Sequence, residues 1–231
     1  MPNLWTRRAL LLSALGLCST RGQSAQVRVT FDIDDPAFIS IIRWFPAPEA
    51  SRGPALKQVG RFLLDLSTVR PAAQVVGLIG LAGGMFSKYG NIDATYNHIT
   101  CGGCVFVNTV YRDGQISGHV YQLLHHEMSS LLMHAGLVDM DEWRSLTPIE
   151  SYSGDMLVTS NARPMTAREA RAGFLTSYGG TNPENDFNVY AEMTFGQPEL
   201  VLRQASQFPA AKEKANFVRE LYQRLGFRLP Q

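Results

Sequence analysis

One stretch limits the possible folds more than any other. From Gly118 to Ala135 the chain reads as a single long helix, with Val120, Leu124, Met128, Leu131 and Ala135 recurring at helical spacing and Gly136 placed to stop it. This segment also holds three of the five histidines, in the run Leu123-Leu124-His125-His126-Glu127-Met128-Ser129-Ser130-Leu131-Leu132-Met133-His134. A helix with an apolar stripe has to be packed against other elements, so the rest of the chain is arranged around it.

The surrounding elements are fewer strands than helices. Val27 to Ile33 alternates as a strand does, and Pro36 to Phe45 reads as a short helix behind Asp34-Asp35. A helix follows from about Pro54 to Leu66, with Leu56, Val59, Leu63 and Leu66 as its core face. Gln74 to Leu81 is apolar and β-branched, a buried strand expected to end at Gly83-Gly84. Cys104 to Tyr111 is a further strand, closed by the turn Arg112-Asp113-Gly114. Beyond the central helix, Thr166-Ala-Arg-Glu169 has the form of a capping box, and Asn182-Pro183 puts a cap residue before a proline at the first helical position, opening a helix to about Phe195. Helices over Gln197 to Ser206 and Pro209 to Leu225 complete the chain, the last stopped by Gly226. Without regular β-α alternation, the pattern predicts an α+β, mainly helical domain with a small sheet over residues 26–231.

Residues 1–25 stand apart. Arg7 and Arg8 precede an apolar run from Ala9 to Leu17, and a polar, small-residue stretch follows to Ala25. Nine apolar residues are too few to cross a bilayer, which needs about 20; the arrangement is that of a cleaved export signal, and the expected location is periplasmic or extracellular. Cys18 admits a lipid anchor, but Leu17 before it is larger than the usual residue there. Charge excludes other classes. The chain has 21 Lys+Arg and 20 Asp+Glu, and Arg7, Arg8 and Arg21 belong to the first 24 residues, which leaves 18 against 20 in the remainder. No basic run supports a nucleic-acid or anionic-membrane partner, and no segment outside the leader is apolar enough to be transmembrane. Cys101 and Cys104, in Cys-Gly-Gly-Cys, suit a structural disulfide in an oxidising compartment. A redox pair is the alternative, but such a motif opens a helix, whereas this one runs into Val105-Phe106-Val107.

The chemistry concentrates on the central helix. Two histidines four residues apart on one face can bind one zinc ion, with an adjacent glutamate acting on the metal-bound water. Here His126 and Glu127 are in place, and Ser130 stands where the second histidine would be. His134 is eight residues on, about 12 Å along the axis, too far to share an ion with His126. His125 points about 100° away. His98 and His119 are outside candidates.

Residues 173–192 add a second motif: Tyr178, then Asn182-Pro183-Glu184-Asn185-Asp186-Phe187, ending at Glu192. Together the two segments resemble zincin-type metallopeptidases of the clan that includes anthrax lethal factor and the bacterial zinc-binding metallopeptidases, over about residues 100–195. The resemblance implies a zincin-like fold and hydrolysis of a peptide or protein substrate by a zinc-activated water. It implies His126 and Asp186 as metal ligands with Ser130 in the second position, Glu127 as general base and Tyr178 as oxyanion donor, with Glu192 a second acidic candidate. The sequence departs from the family pattern at Ser130, which favours as the alternative a zincin-shaped envelope binding or scaffolding protein without metal.

Overall fold

The computed structural model describes residues 27–33, 42–70, 73–87, 90–97, 103–154 and 164–230. The export signal, His98, Cys101 and Tyr89 lie outside them, as does the side chain of Tyr96, so the expected disulfide lies outside the described residues too. The fold is α+β, as the sequence pattern predicts. The elements are β1 (Arg28–Thr30), β2 (Arg43–Pro46), α1 (Glu49–Leu66), β3 (Leu78–Ser87), β4 (Gly90–Ile92), β5 (Ala94–Asn97), β6 (Cys104–Asn108), α2 (Val120–His134), α3 (Met140–Ser145), α4 (Ala167–Arg171), α5 (Pro183–Gly196), α6 (Pro198–Gln207) and α7 (Pro209–Leu225). None of the described helices is long and apolar enough to cross a membrane. The described residues fall into two compact units, those within 1–63 and 74–131 and those within 64–73 and 132–231.

The first unit holds a six-stranded mixed sheet built on β3. β1 and β6 pair with it in parallel, Ile79 facing Val29 on one side and Val105 on the other; β5 pairs antiparallel with β6, and β2 and β4 pair antiparallel with the later half of β3. Two expectations are corrected here. Arg43 to Phe45 belong to a strand rather than to the end of a helix, and β3 runs through Gly83-Gly84 to Ser87 instead of ending there. The two corrections share a cause. A Cβ on Gly83 would lie 2.3 Å from the carbonyl oxygen of Pro46, so the bare glycine lets β2 close onto β3, and the pairing with β2 keeps the strand extended. Before β6, Gly103 has a φ of +114°, and a Cβ there would sit 1.9 Å from the Val75 carbonyl oxygen. β1 is shorter than the alternating run suggests, because the Thr30 hydroxyl turns the chain by bonding the backbone of Asp32.

α1 begins at Glu49, a turn and a half before Pro54, and its buried face is Ala55, Val59, Phe62 and Leu66; Leu56, expected inside, is 44% exposed. Phe62 shifts the stripe, since its ring fills more of the core than Leu63 can. α2 follows the expected stripe, with Val120, Leu124, Met128 and Leu131 buried, although Ala135 is exposed beyond the helix end. The burial extends around the helix to Tyr121, His125, Ser129 and Ser130. In the second unit, Trp143 is a ring hub, 5.3 Å from Phe187, 5.6 Å from Tyr190 and 5.4 Å from Phe217, with its indole N–H donated to the Pro183 carbonyl. The three rings sit edge-on or tilted, the arrangements aromatic quadrupoles favour. Phe195, Tyr222 and Phe227 form a second ring cluster, and Gly226, with a φ of +98°, ends α7 where the sequence places the stop.

Candidate functional site

α2 positions the histidine-glutamate run. The two histidines diverge because consecutive helical residues point about 100° apart. His125 is fully buried, edge-on between the rings of Phe62 at 5.0 Å and Tyr121 at 4.8 Å, so this candidate is part of the core. His126 and Glu127 keep 9% and 7% exposure, whereas Ser129 and Ser130 keep 0% and 1%. The Ser129 hydroxyl donates to the His126 carbonyl at 2.6 Å, His119 Nδ1 bonds Gln122 Oε1 one turn on, and the Tyr121 N–H donates to Gln58 Oε1 of α1 at 3.1 Å. His119, beside the Tyr111 ring at 5.9 Å, is on the exposed side of its turn.

Tyr178 and Asp186 flank a helix start. Asn182 caps α5, its side chain accepting from the Asn185 N–H, and Pro183 follows as the first helical residue. A single 3-10 turn, Gly179–Thr181, folds the tyrosine back towards that cap, so that the Tyr178 hydroxyl donates to Asn185 Oδ1 at 3.1 Å while the Asn185 amide donates to the Thr181 hydroxyl. Asn185 is thus a member of the cluster that sequence reasoning passed over. Glu192, the second acidic candidate, is half-buried two turns along α5.

Asp186 itself is fully buried, and its charge is already matched. Lys214 of α7 places its ammonium 2.8 Å from Asp186 Oδ2, with both side chains at 0% exposure. The Tyr152 hydroxyl donates to the same oxygen at 3.0 Å, and Oδ1 has no hydrogen-bond partner among the described residues. The ammonium's other protons face the carbonyls of Ala172 at 3.2 Å and Gly173 at 3.5 Å, and its charge lies 4.3 Å from the centre of the Phe174 ring. Gly173 makes this approach possible: its φ is +78°, and a Cβ there would meet the α7 backbone at 2.7 Å. Removal from water is the dominant electrostatic effect. Burial pushes the Asp186 carboxyl up to about 6 against the pull of Lys214 and Tyr152, and pushes the Lys214 ammonium down against the pull of Asp186. Burial, followed by the Asp186 charge, also raises the phenols of Tyr152 and Tyr190. The Tyr190 hydroxyl donates to the Gly173 carbonyl at 2.7 Å, on the same oxygen that faces Lys214.

A zinc ion fits this donor set poorly. Zinc sites use three or four nitrogen, sulfur or carboxylate donors. Here the implied set is one imidazole, one serine hydroxyl and a carboxylate neutralised by an ammonium that would repel a second cation. Among the described residues, no group of three or more His, Cys, Asp and Glu side chains is placed to hold a metal ion. A signal for Lys214 was present in the sequence. The buried stripe of α7 runs Ala211, Lys214, Ala215, Val218, Leu221, Tyr222 and Leu225, so a lysine occupies a core position of an otherwise apolar face. Tyr152 carried no such mark.

No protein-family model matches the chain, and no curated protein matches its sequence. A solved structure described as a putative zinc-binding metallo-peptidase from Bacteroides caccae is similar to it over 79% of each chain, at 15% sequence identity and a TM-score of 0.49.

Proposed function

We propose that this chain is an exported, zincin-like protein that binds a peptide or protein partner without hydrolysing it, its buried lysine supplying the positive charge that a metal supplies in a working zincin. The observation that carries the reading is the 2.8 Å pair of Lys214 and Asp186 at zero exposure. A buried carboxylate needs a counter-charge, and an ammonium with its three protons engaged provides one without an open coordination position for water. Ser130 supports the same reading, since it offers a hydroxyl where an imidazole is required.

A second reading, a zinc-dependent peptidase using His126, Glu127, Asp186 and Tyr178, is favoured by one feature: His126 and Glu127 retain some solvent contact while Ser129 and Ser130 next to them do not. The metal content of the mature protein, purified without chelator or affinity-tag metal beside a His126→Ala variant, separates the two. The expected result is well under one zinc per chain in both proteins and no cleavage of a casein substrate. One zinc per chain, lost in the variant, overturns the binding reading and selects the peptidase. A Ser130→His variant, which restores the missing imidazole, sharpens the test: a large gain in zinc affinity would show that the rest of a metal site is in place.

A further inference from the structure

The end of the second unit carries a feature that neither reading uses. α6 and α7 are joined through the single residue Phe208 and leave between them an open groove of about 710 Å³, reaching down to Thr194 of α5. Val201, Leu202, Ala205 and Phe208 give it an apolar strip, beside the uncharged polar Thr194, Ser206, Gln207 and Asn216, and Leu202 is 55% exposed. Both helices are strongly amphipathic, yet this leucine lies on the outer side of the contact they make with each other.

The charge in the groove has one sign. Lys212 and Arg219 are the charged residues lining it, and neither forms an ion pair among the described residues. The acids of the same two helices, Glu199, Glu213 and Glu220, do not line it. Lys212 stands at the start of α7, whose cap residue Phe208 and first residue Pro209 also line the groove, and that cap offers no side-chain acceptor. The positive end of that helix therefore adds to the lysine's charge. Arg219 is seven residues further along α7, about 10 Å along the axis.

We propose that this groove docks an acidic amphipathic helix of a partner protein. The occupant presents an apolar stripe to Leu202, Val201 and Phe208 and two carboxylates one heptad apart, about 10 Å, to Lys212 and Arg219. A third helix laid against these two completes a three-helix packing at ordinary interaxial spacing, and helix-in-groove recognition of this kind reads apolar anchors by their helical spacing. The two cations set the orientation and the sign of the partner. This inference goes beyond the proposed function and holds whether or not the protein binds zinc.

The test uses the full chain as exported and a fluorescein-labelled 18-residue amphipathic peptide with a leucine stripe and glutamates at positions seven apart, beside the same peptide with lysines there. Binding is read by fluorescence anisotropy at two salt concentrations. The glutamate peptide is expected to bind in a salt-sensitive manner, and the lysine peptide at least tenfold more weakly. In the doubly reversed variant Lys212→Glu/Arg219→Glu that preference should invert, while Leu202→Asp should weaken binding of the glutamate peptide about tenfold. All three positions reach solvent, so the variants should unfold at the wild-type temperature, and circular dichroism checks this. Absence of binding to the wild type, or equal affinity of both peptides for wild type and the reversed variant, overturns the proposal. So does tighter co-sedimentation with vesicles containing 30% phosphatidylserine than with neutral vesicles if the peptide fails to compete, since the groove would then be a membrane patch.

Discussion

The polar run of α2 and the buried pair around Asp186 are both ionisable clusters set among apolar residues, yet they are held in opposite ways. At α2, short-range bonds run from Ser129 to the His126 carbonyl and from His119 to Gln122, and one longer bond joins the Tyr121 N–H to Gln58 of α1. Asp186 depends on Tyr152, 34 residues before it, and on Lys214, 28 residues after it (214 − 186). The second cluster exists only when three distant segments meet. A charge buried by such a meeting carries a desolvation cost of several kcal/mol, which its partners have to offset, so removal of one partner is felt strongly. His126 and Glu127, at 9% and 7% exposure, keep some contact with water.

The comparison breaks most visibly at Lys214. Lys214→Met is expected to lower unfolding free energy at pH 7 by about 3–5 kcal/mol, measured by urea denaturation, because Asp186 then lacks its counter-charge. Adding Asp186→Leu to it should restore most of the loss, since an apolar pair of similar volume has no desolvation cost; a double variant as unstable as the single one would show that packing, not charge, holds this region.

The same pair sets a pH dependence. The folded Asp186 carboxyl is pushed up to about 6, above its ordinary 3.8. The stability this group contributes is therefore fully present below about pH 4 and is lost as the pH rises through 6. In Lys214→Met the carboxyl rises further, so the deficit against wild type should be small at pH 4 and should widen towards pH 7. Urea midpoints at pH 4, 5.5 and 7 check the sign, and a deficit that shrinks with rising pH would contradict it.

Two smaller effects sharpen the contrast. Tyr152→Phe removes one hydrogen bond to the buried carboxylate and should cost about 1.5–3 kcal/mol, the range for bonds to charged groups. His126→Ala, at a side chain that still meets solvent, should cost only about 1 kcal/mol in the same denaturation assay. A loss for His126→Ala as large as that for Lys214→Met would mean that the α2 cluster is as structurally committed as the Asp186 cluster.

Much of this architecture is legible in the residues because its causes are local. The stripe from Val120 to Leu131, the capping box of Thr166 and Glu169, the Asn182-Pro183 start and the Gly226 stop all act within a turn or two of chain, and each is found where the pattern places it. The errors fall where a distant neighbour intervenes. Gly83-Gly84 reads as a break, yet it lies within a strand because β2 closes against the bare backbone. Arg43 to Phe45 form a strand by pairing with Phe86, Met85 and Gly84, none of them near in sequence. The face of α1 is rotated from the one expected because the larger Phe62 takes the core position.

The candidate site divides along the same line. The pairing of His126 with Glu127, the substitution of Ser130, and the neighbourhood of Tyr178 and Asp186 on either side of a capped helix start are all consequences of spacing along the chain, and the residues alone determine them. That Asp186 meets Lys214 and Tyr152, that His125 is closed in by Phe62 and Tyr121, and that Lys212 and Arg219 flank an open apolar groove were decided only by tertiary structure. Helical periodicity specifies which side chains share a face, but the charge opposite that face comes from another segment, and no local rule fixes which segment that is.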